Sequence, residues 1–241
     1  MKSKILIFSA TYNESKNITP LLKSIDELNL DADLLIVDDN SPDKTWQIIQ
    51  DYCKNKKNIH LIIRDKKEGL DTAHKLAFEY SIKNNYDFLI TLDSDMSHDP
   101  KMIPKFFDEL KTNAFVIGSR YIKGGKSDYV GYRNIVSRLA NKLCRLMLNM
   151  PFSEFTTSLR IYNHKCLKIL NETNLKSDGY SSQIEFFFYV YKAGLKCAEI
   201  PIDFKHRFMG DSKIPRLQAF YSFLKLVELF IKNIIIPKKN L

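Results

Sequence analysis

Two aspartates two residues apart, Asp93-Ser94-Asp95, close an apolar run, with Ser97 and His98 beside them. Carboxylates so spaced at a strand end can share a hard divalent cation, Mg²⁺ or Mn²⁺, whose remaining positions go to water or substrate phosphates. Alone the pattern is weak, because carboxylates are common in solvated turns. A second acidic turn, Asp38-Asp39-Asn40-Ser41-Pro42-Asp43, follows another apolar run. Its residues are turn formers and helix caps. Asp39 there can also accept hydrogen bonds from ribose hydroxyls or a base edge. Arg120, Arg133, Arg207 and Lys213 lie in the second half of the chain. Each alone is a surface charge; together they suit a phosphate-bearing substrate, since guanidinium forks grip phosphate oxygens at two points. Gly124-Gly125-Lys126-Ser127 has the tail of a phosphate loop, but Arg120 stands where its first glycine belongs. That excludes a P-loop NTPase. No Gly-X-Gly-X-X-Gly follows the first apolar run, which disfavours a dinucleotide oxidoreductase.

These residues need elements to hold them. Five short β-rich runs, at 5–9, 34–37, 59–63, 88–92 and 115–117, alternate with helix-like stretches at 18–28, 45–53, 72–82 and 100–110. Such alternation predicts an α/β fold with a mostly parallel sheet covered on both faces. Ligands of such sheets bind beyond the carboxyl ends of the strands. Those ends, 10–14, 38–43, 64–71, 93–98 and 118–121, are strongly polar and place the site. Residues 134–150 read as a basic amphipathic helix. Residues 216–236 read as a helix with a polar stripe at Gln218, Ser222, Lys225, Lys232 and Asn233. The stretch 151–215 mixes short apolar runs with Gly and Pro. The expected organisation is a catalytic domain over 1–215 and an amphipathic C-terminal helix over 216–241, docked on the core or lying in the plane of a membrane.

The 241 residues and 28.1 kDa suit one domain. With 44% hydrophobic and 27% charged residues, global disorder is excluded. The net charge of +9 is unevenly placed. Residues 1–119 carry 16 basic and 19 acidic side chains, residues 120–145 carry 7 and 1, and residues 201–241 carry 8 and 3. An acidic first half fits a metal or nucleotide site, and the basic segments fit an anionic partner. Nucleic acid is not that partner, because the acidic strand ends would repel its backbone. The four cysteines form no Cys-X-X-Cys pair, so a reducing compartment fits best. The start has only a five-residue apolar run, too short for a signal peptide. No run approaches the ~18 apolar residues of a membrane span.

The ordered set of motifs resembles the family 2 glycosyltransferases, and within them the dolichol-phosphate (polyprenyl-phosphate) mannose synthases of the soluble type, without transmembrane helices. It comprises Thr11-Tyr12-Asn13-Glu14, Val37-Asp38-Asp39, Lys67-Glu68-Gly69-Leu70, Asp93-Ser94-Asp95-Met96-Ser97-His98 and Gly118-Ser119-Arg120-Tyr121. Further on come Tyr132-Arg133 with Ser137, Arg160-Ile161-Tyr162, and Arg207 with Gly210, Ser212 and Lys213. The resemblance implies a GT-A-like, Rossmann-type fold. It implies metal-dependent, inverting transfer of mannose from GDP-mannose to a polyprenyl (dolichyl or undecaprenyl) phosphate. The alternatives are another donor such as UDP-glucose, another acceptor, or a non-catalytic nucleotide-sugar-binding paralogue. Carried over, Ala10, Tyr12, Glu14, Val37, Asp39 and Ser94 contact the nucleotide. Asp93, Asp95 and Ser97 ligate Mg²⁺ or Mn²⁺. Arg120, Arg133, Ser137, Arg207 and Lys213 clamp the diphosphate and the acceptor phosphate. The expected location is peripheral, at the cytoplasmic face of a membrane, with room for a membrane helper subunit. Several positions depart from the usual pattern: Lys44 and Asp71 replace Gly, His74 replaces Tyr, and Thr156-Thr157-Ser158-Leu159-Arg160 replaces Thr-Ser-Gly-Phe-Arg.

Overall fold

The computed structural model describes residues 3–209 and 218–238. Strands β1 (Ile5–Thr11), β2 (Ala32–Asp38), β3 (Ile59–Ile63) and β4 (Phe88–Thr91) run parallel, with β1 at the centre of the four. Beyond β4 the expectation of five parallel strands needs extension. β5 (Phe115–Ser119) does not pair with β4; β7 (Arg160–Asn163) lies between them, antiparallel to both. β8 (Cys197–Pro201) then adds parallel to β5, giving the order β3-β2-β1-β4-β7-β5-β8. A two-stranded ladder of β6 (Lys126–Ser127) and β9 (Asp203–Phe204) stands beside this sheet.

Strand side chains alternate between faces, and here both faces are apolar. On β1, Leu6 and Phe8 enter one core while Ile7 enters the other; on β2, Leu35 and Val37 oppose Leu34 and Ile36. Helices α1 (Ile18–Asp26), α2 (Thr45–Cys53) and α4 (Ile103–Glu109) cover the second core. Helices α3 (Leu70–Lys83), α5 (Gly131–Leu148), α6 (His164–Glu172), α7 (Ser182–Lys192) and α8 (Gln218–Ile235) cover the first. Continuous apolar strands are what a doubly covered sheet requires. Phe115 is fully buried within the first core; cutting it to Ala would cost about 3–5 kcal/mol.

The C-terminal helix is docked along one stripe. Leu226 and Leu229 join the first core, Lys192 Nζ donates to Asn233 O at 3.0 Å, and Lys232 Nζ donates to Tyr189 Oη at 3.1 Å. Its other face leaves Phe220, Phe223, Ile231 and Ile234 exposed. Among the described residues no helix is long and apolar enough to cross a membrane.

Candidate active site

The loops after β1, β2, β3 and β4 meet at one end of the sheet. Their backbones are held in unusual conformations: Asn13, Asn40, Lys44 and Met96 all have positive φ, from 51° to 63°. Left-handed backbone costs a side-chain-bearing residue roughly 1–2 kcal/mol, and such strain collects at functional sites. The Lys44 position, at φ 62°, shows why Gly is the usual occupant there.

Asp38 is structural. It is fully buried and accepts from Thr11 Oγ1 (2.7 Å), Ser41 N (2.8 Å) and Ser41 Oγ (2.7 Å), tying the first two loops together. Asp39 accepts from Gly69 N at 3.0 Å and pairs with Arg64, which also donates to Gly69 O at 3.0 Å. Arg64 was not among the expected site residues, since nothing in its spacing marks it as more than a surface charge. Tyr12 is half-buried beneath the Lys67 ammonium, 4.2 Å from its ring. Ala10 is half-buried at the end of β1, paired in register with Val37. The Val37 side chain is fully buried in the core. Any contact of that residue with a nucleotide would run through its main chain.

After β4, the turn carries Asp93, Ser94, Asp95 and Ser97. Asp95 accepts from Ser97 N at 3.0 Å and pairs with Arg207 Nη2 at 3.0 Å. The other Arg207 nitrogen, Nη1, lies 3.2 Å from Glu14 Oε1. One guanidinium thus joins carboxylates from the loops after β1 and β4. The segment bearing Arg207 is fixed over the site by Lys205 N→Ser97 O and Phe208 N→Asp95 O, both 3.0 Å. Asp93 accepts from Ser158 Oγ and faces His98 Nδ1 at 3.4 Å. Burial raises the Asp93 carboxyl above the ordinary carboxylate range, with His98 opposing the rise and Asp95 adding to it. Burial likewise lowers His98, against the pull of Asp93. Ser94 is buried beside them.

The donor set fits a hard divalent cation. Among the described residues no three His, Cys, Asp or Glu side chains converge on one point. A cation would therefore take Asp93 and Asp95 and complete its shell from hydroxyl, water and phosphate oxygens. Ser97 Oγ is buried and makes no hydrogen bond, leaving an oxygen of the right kind at the turn. Asp95 already draws a cation, the Arg207 guanidinium.

The remaining basic residues separate. Arg133 is exposed at the start of α5. Ser137, one turn on, accepts from Tyr121 Oη at 2.7 Å. Lys213 lies outside the described residues. Arg120 has a carboxylate partner. It is only 6% exposed, and its Nε and Nη2 donate to the two oxygens of the fully buried Glu154 at 2.7 and 2.9 Å. Phe204, Tyr121 and Tyr129 surround it. Burial pulls both groups toward neutrality, but each charge outweighs that for the other, raising Arg120 and lowering Glu154. A guanidinium committed this way is tied to the fold, because leaving Glu154 would strand a buried carboxylate.

The profile of glycosyl transferase family 2 matches residues 7–170. The chain belongs to this family. As a family 2 glycosyltransferase it is 30% identical over 212 residues to the undecaprenyl-phosphate mannosyltransferase of Micrococcus luteus, covering 88% of this chain and 87% of that one. It is 28% identical over 233 residues to the polyprenol monophosphomannose synthase of Mycolicibacterium smegmatis, covering 95% and 88%. Among solved structures, glucosyl-3-phosphoglycerate synthase from Mycobacterium tuberculosis, crystallised with Mn²⁺ and UDP-glucose, superposes with a TM-score of 0.67 at 17% identity, over 98% of this chain and 80% of that one. At that identity the likeness speaks for the fold, a GT-A sheet.

Proposed function

We propose that this glycosyltransferase moves mannose from GDP-mannose to a polyprenyl phosphate, with inversion at the anomeric carbon and with Mg²⁺ or Mn²⁺ required. The names of the two relatives support the sugar and the lipid class. The observation that carries the mechanism is the convergence of Glu14, Asp95 and Arg207 at the strand ends.

Asp93 and Asp95, with Ser97, would hold the cation, which when bound neutralises the departing diphosphate. Arg207 already stands against Asp95 and supplies further positive charge to the leaving group; Lys213 follows it in sequence and has the same role. Asp39 and Tyr12 bind the nucleoside, with Glu14 fixing Arg207. The acceptor phosphate is anionic at neutral pH and needs positioning rather than deprotonation. Arg133 at the exposed start of α5, beside the Ser137–Tyr121 pair, is the group that aligns it for direct displacement. The lipid tail resides in a bilayer. The exposed face of α5 (Ile135, Leu139, with Arg138 and Arg145) pairs apolar with basic side chains, and α8 adds the exposed apolar Phe223 and Ile231. That composition suits peripheral contact with an anionic leaflet.

A thermal-shift panel of nucleotide sugars with Mn²⁺ tests the donor. A ligand at 100 times its Kd adds about 2.7 kcal/mol, so GDP-mannose should raise Tm clearly above UDP-glucose and UDP-GlcNAc. Stabilisation by a UDP-sugar and none by GDP-mannose would reject the donor assignment.

A further inference from the structure

Three consecutive hydroxyl residues, Thr156-Thr157-Ser158, are each taken by a different partner. Thr156 Oγ1 lies 2.8 Å from both Arg120 Nη2 and Glu154 Oε1. Thr157 Oγ1 lies 2.9 Å from His98 Nε2. Ser158 Oγ donates to Asp93 Oδ1. The backbone carrying them is fixed independently. The fully buried Arg160 donates to Phe155 O and Thr157 O, each at 2.7 Å, and Glu199 accepts from Ser153 N and Glu154 N at 2.9–3.0 Å. Thr91, at the end of β4, donates to Ser158 O. The loop is therefore a strut running from the Arg120–Glu154 pair to the turn after β4.

The Asp93 side chain is 32% exposed. Water can replace the Ser158 hydroxyl there, so the bond is not needed to solvate the carboxylate. What a fixed hydroxyl adds, and water does not, is direction. Position 158 carries Gly in the motif this segment departs from, and Gly has no side chain to supply such a bond.

We propose that Ser158 is a positioning residue for the metal site: it fixes the Asp93 carboxylate in the orientation that ligates the cation, while Thr157 holds the neighbouring His98 imidazole against that carboxylate. This rests on the metal role given to Asp93 and Asp95 above. Partners that orient a ligand typically set metal affinity by 10–100-fold.

The test is titration of the full chain with Mn²⁺ alone, followed by electron paramagnetic resonance, for wild type, Ser158→Ala and Thr157→Val. Ser158→Ala should raise the Mn²⁺ Kd by about tenfold or more, with a smaller rise for the isosteric Thr157→Val. The Mn²⁺ half-saturation of transfer should rise in parallel, while kcat at saturating Mn²⁺ stays within about threefold. A purely structural role would lower Tm without moving the Mn²⁺ Kd. A Ser158→Ala Kd within about twofold of wild type, on a protein that melts cooperatively, overturns the inference. If Ser158→Ala does not fold, Ser158→Gly carries the same expectation and the same refutation. A wild-type chain that takes up no Mn²⁺ overturns the metal reading, and this inference with it; a wild type that binds while Ser158→Ala binds equally well overturns this inference alone.

Discussion

Arg120 separates two accounts of the basic half of the chain, and Glu154 is the place to perturb it. Glu154→Ala removes both oxygens that receive Arg120 Nε and Nη2, at 2.7 and 2.9 Å. It leaves a guanidinium only 6% exposed, with Thr156 as its remaining polar partner among these contacts. Stranding one member of a buried pair costs about 3–5 kcal/mol. For a chain of this size, 1 kcal/mol moves Tm by about 2–4 °C, so Glu154→Ala should melt roughly 6–20 °C below wild type. Removing both charges, as in Arg120→Met with Glu154→Leu, leaves no orphan and should recover most of that loss. The assay is calorimetric or circular-dichroism melting of the two single variants and the double. A phosphate clamp behaves oppositely: Arg120→Met would keep its Tm and lose only transfer. That pattern, with Glu154→Ala equally stable, would refute the structural reading of the pair.

The other predictions concern pH, backbone strain and the membrane face. His74 is buried with Nδ1 on Leu70 O (2.9 Å) and Nε2 beside Gln183 (3.1 Å), and burial holds its pKa down at about 4 against an ordinary 6.5. Below pH 6.5 the unfolded chain binds a proton that the folded chain refuses, so stability should fall from pH 6.5 towards pH 4, by about 2 kcal/mol at pH 5. Urea melts at pH 7.5 and 5 check this, and an equal slope in His74→Gln would show the loss comes from elsewhere. Lys44→Gly relieves a left-handed residue at φ 62° and should raise Tm by about 2–8 °C; a fall would mean the Lys side chain contributes more than the strain costs. Vesicle flotation at physiological salt should carry wild type upward with anionic but not zwitterionic lipid. Phe223→Asp with Ile231→Asp should stay behind; equal flotation of that variant would remove α8 from the membrane account.

Much of the scaffold was legible because it is written in periodicity. The bounds of α2 and β3 were readable to the residue, since turn formers flank both segments. The carboxyl ends of the first four strands already place Asp39, Asp93 and Asp95 at one end of the sheet. Pairing order was not legible: alternation says which face a residue takes, not which strand lies beside it. β7 hid for that reason and because it begins with Arg160, a charge that is buried only because three backbone carbonyls receive it. The Glu154 partner of Arg120 was not legible for a related cause. A sequence shows the sign of a charge but not whether its partner is a phosphate or a carboxylate such as Glu154, 34 residues further on. Ser158 stood out only as a departure from a motif; its bond to Asp93 depends on β7 bringing the loop against β4.

Transfer itself is the direct measurement. Purified chain, radiolabelled GDP-mannose and a polyprenyl phosphate are incubated with Mn²⁺ or with chelator, alongside Asp95→Ala. The account predicts label in the organic phase only with the divalent ion and only with Asp95 intact. Label that stays aqueous with every polyprenyl phosphate tried, or that reaches lipid unchanged in chelator and in Asp95→Ala, would contradict it.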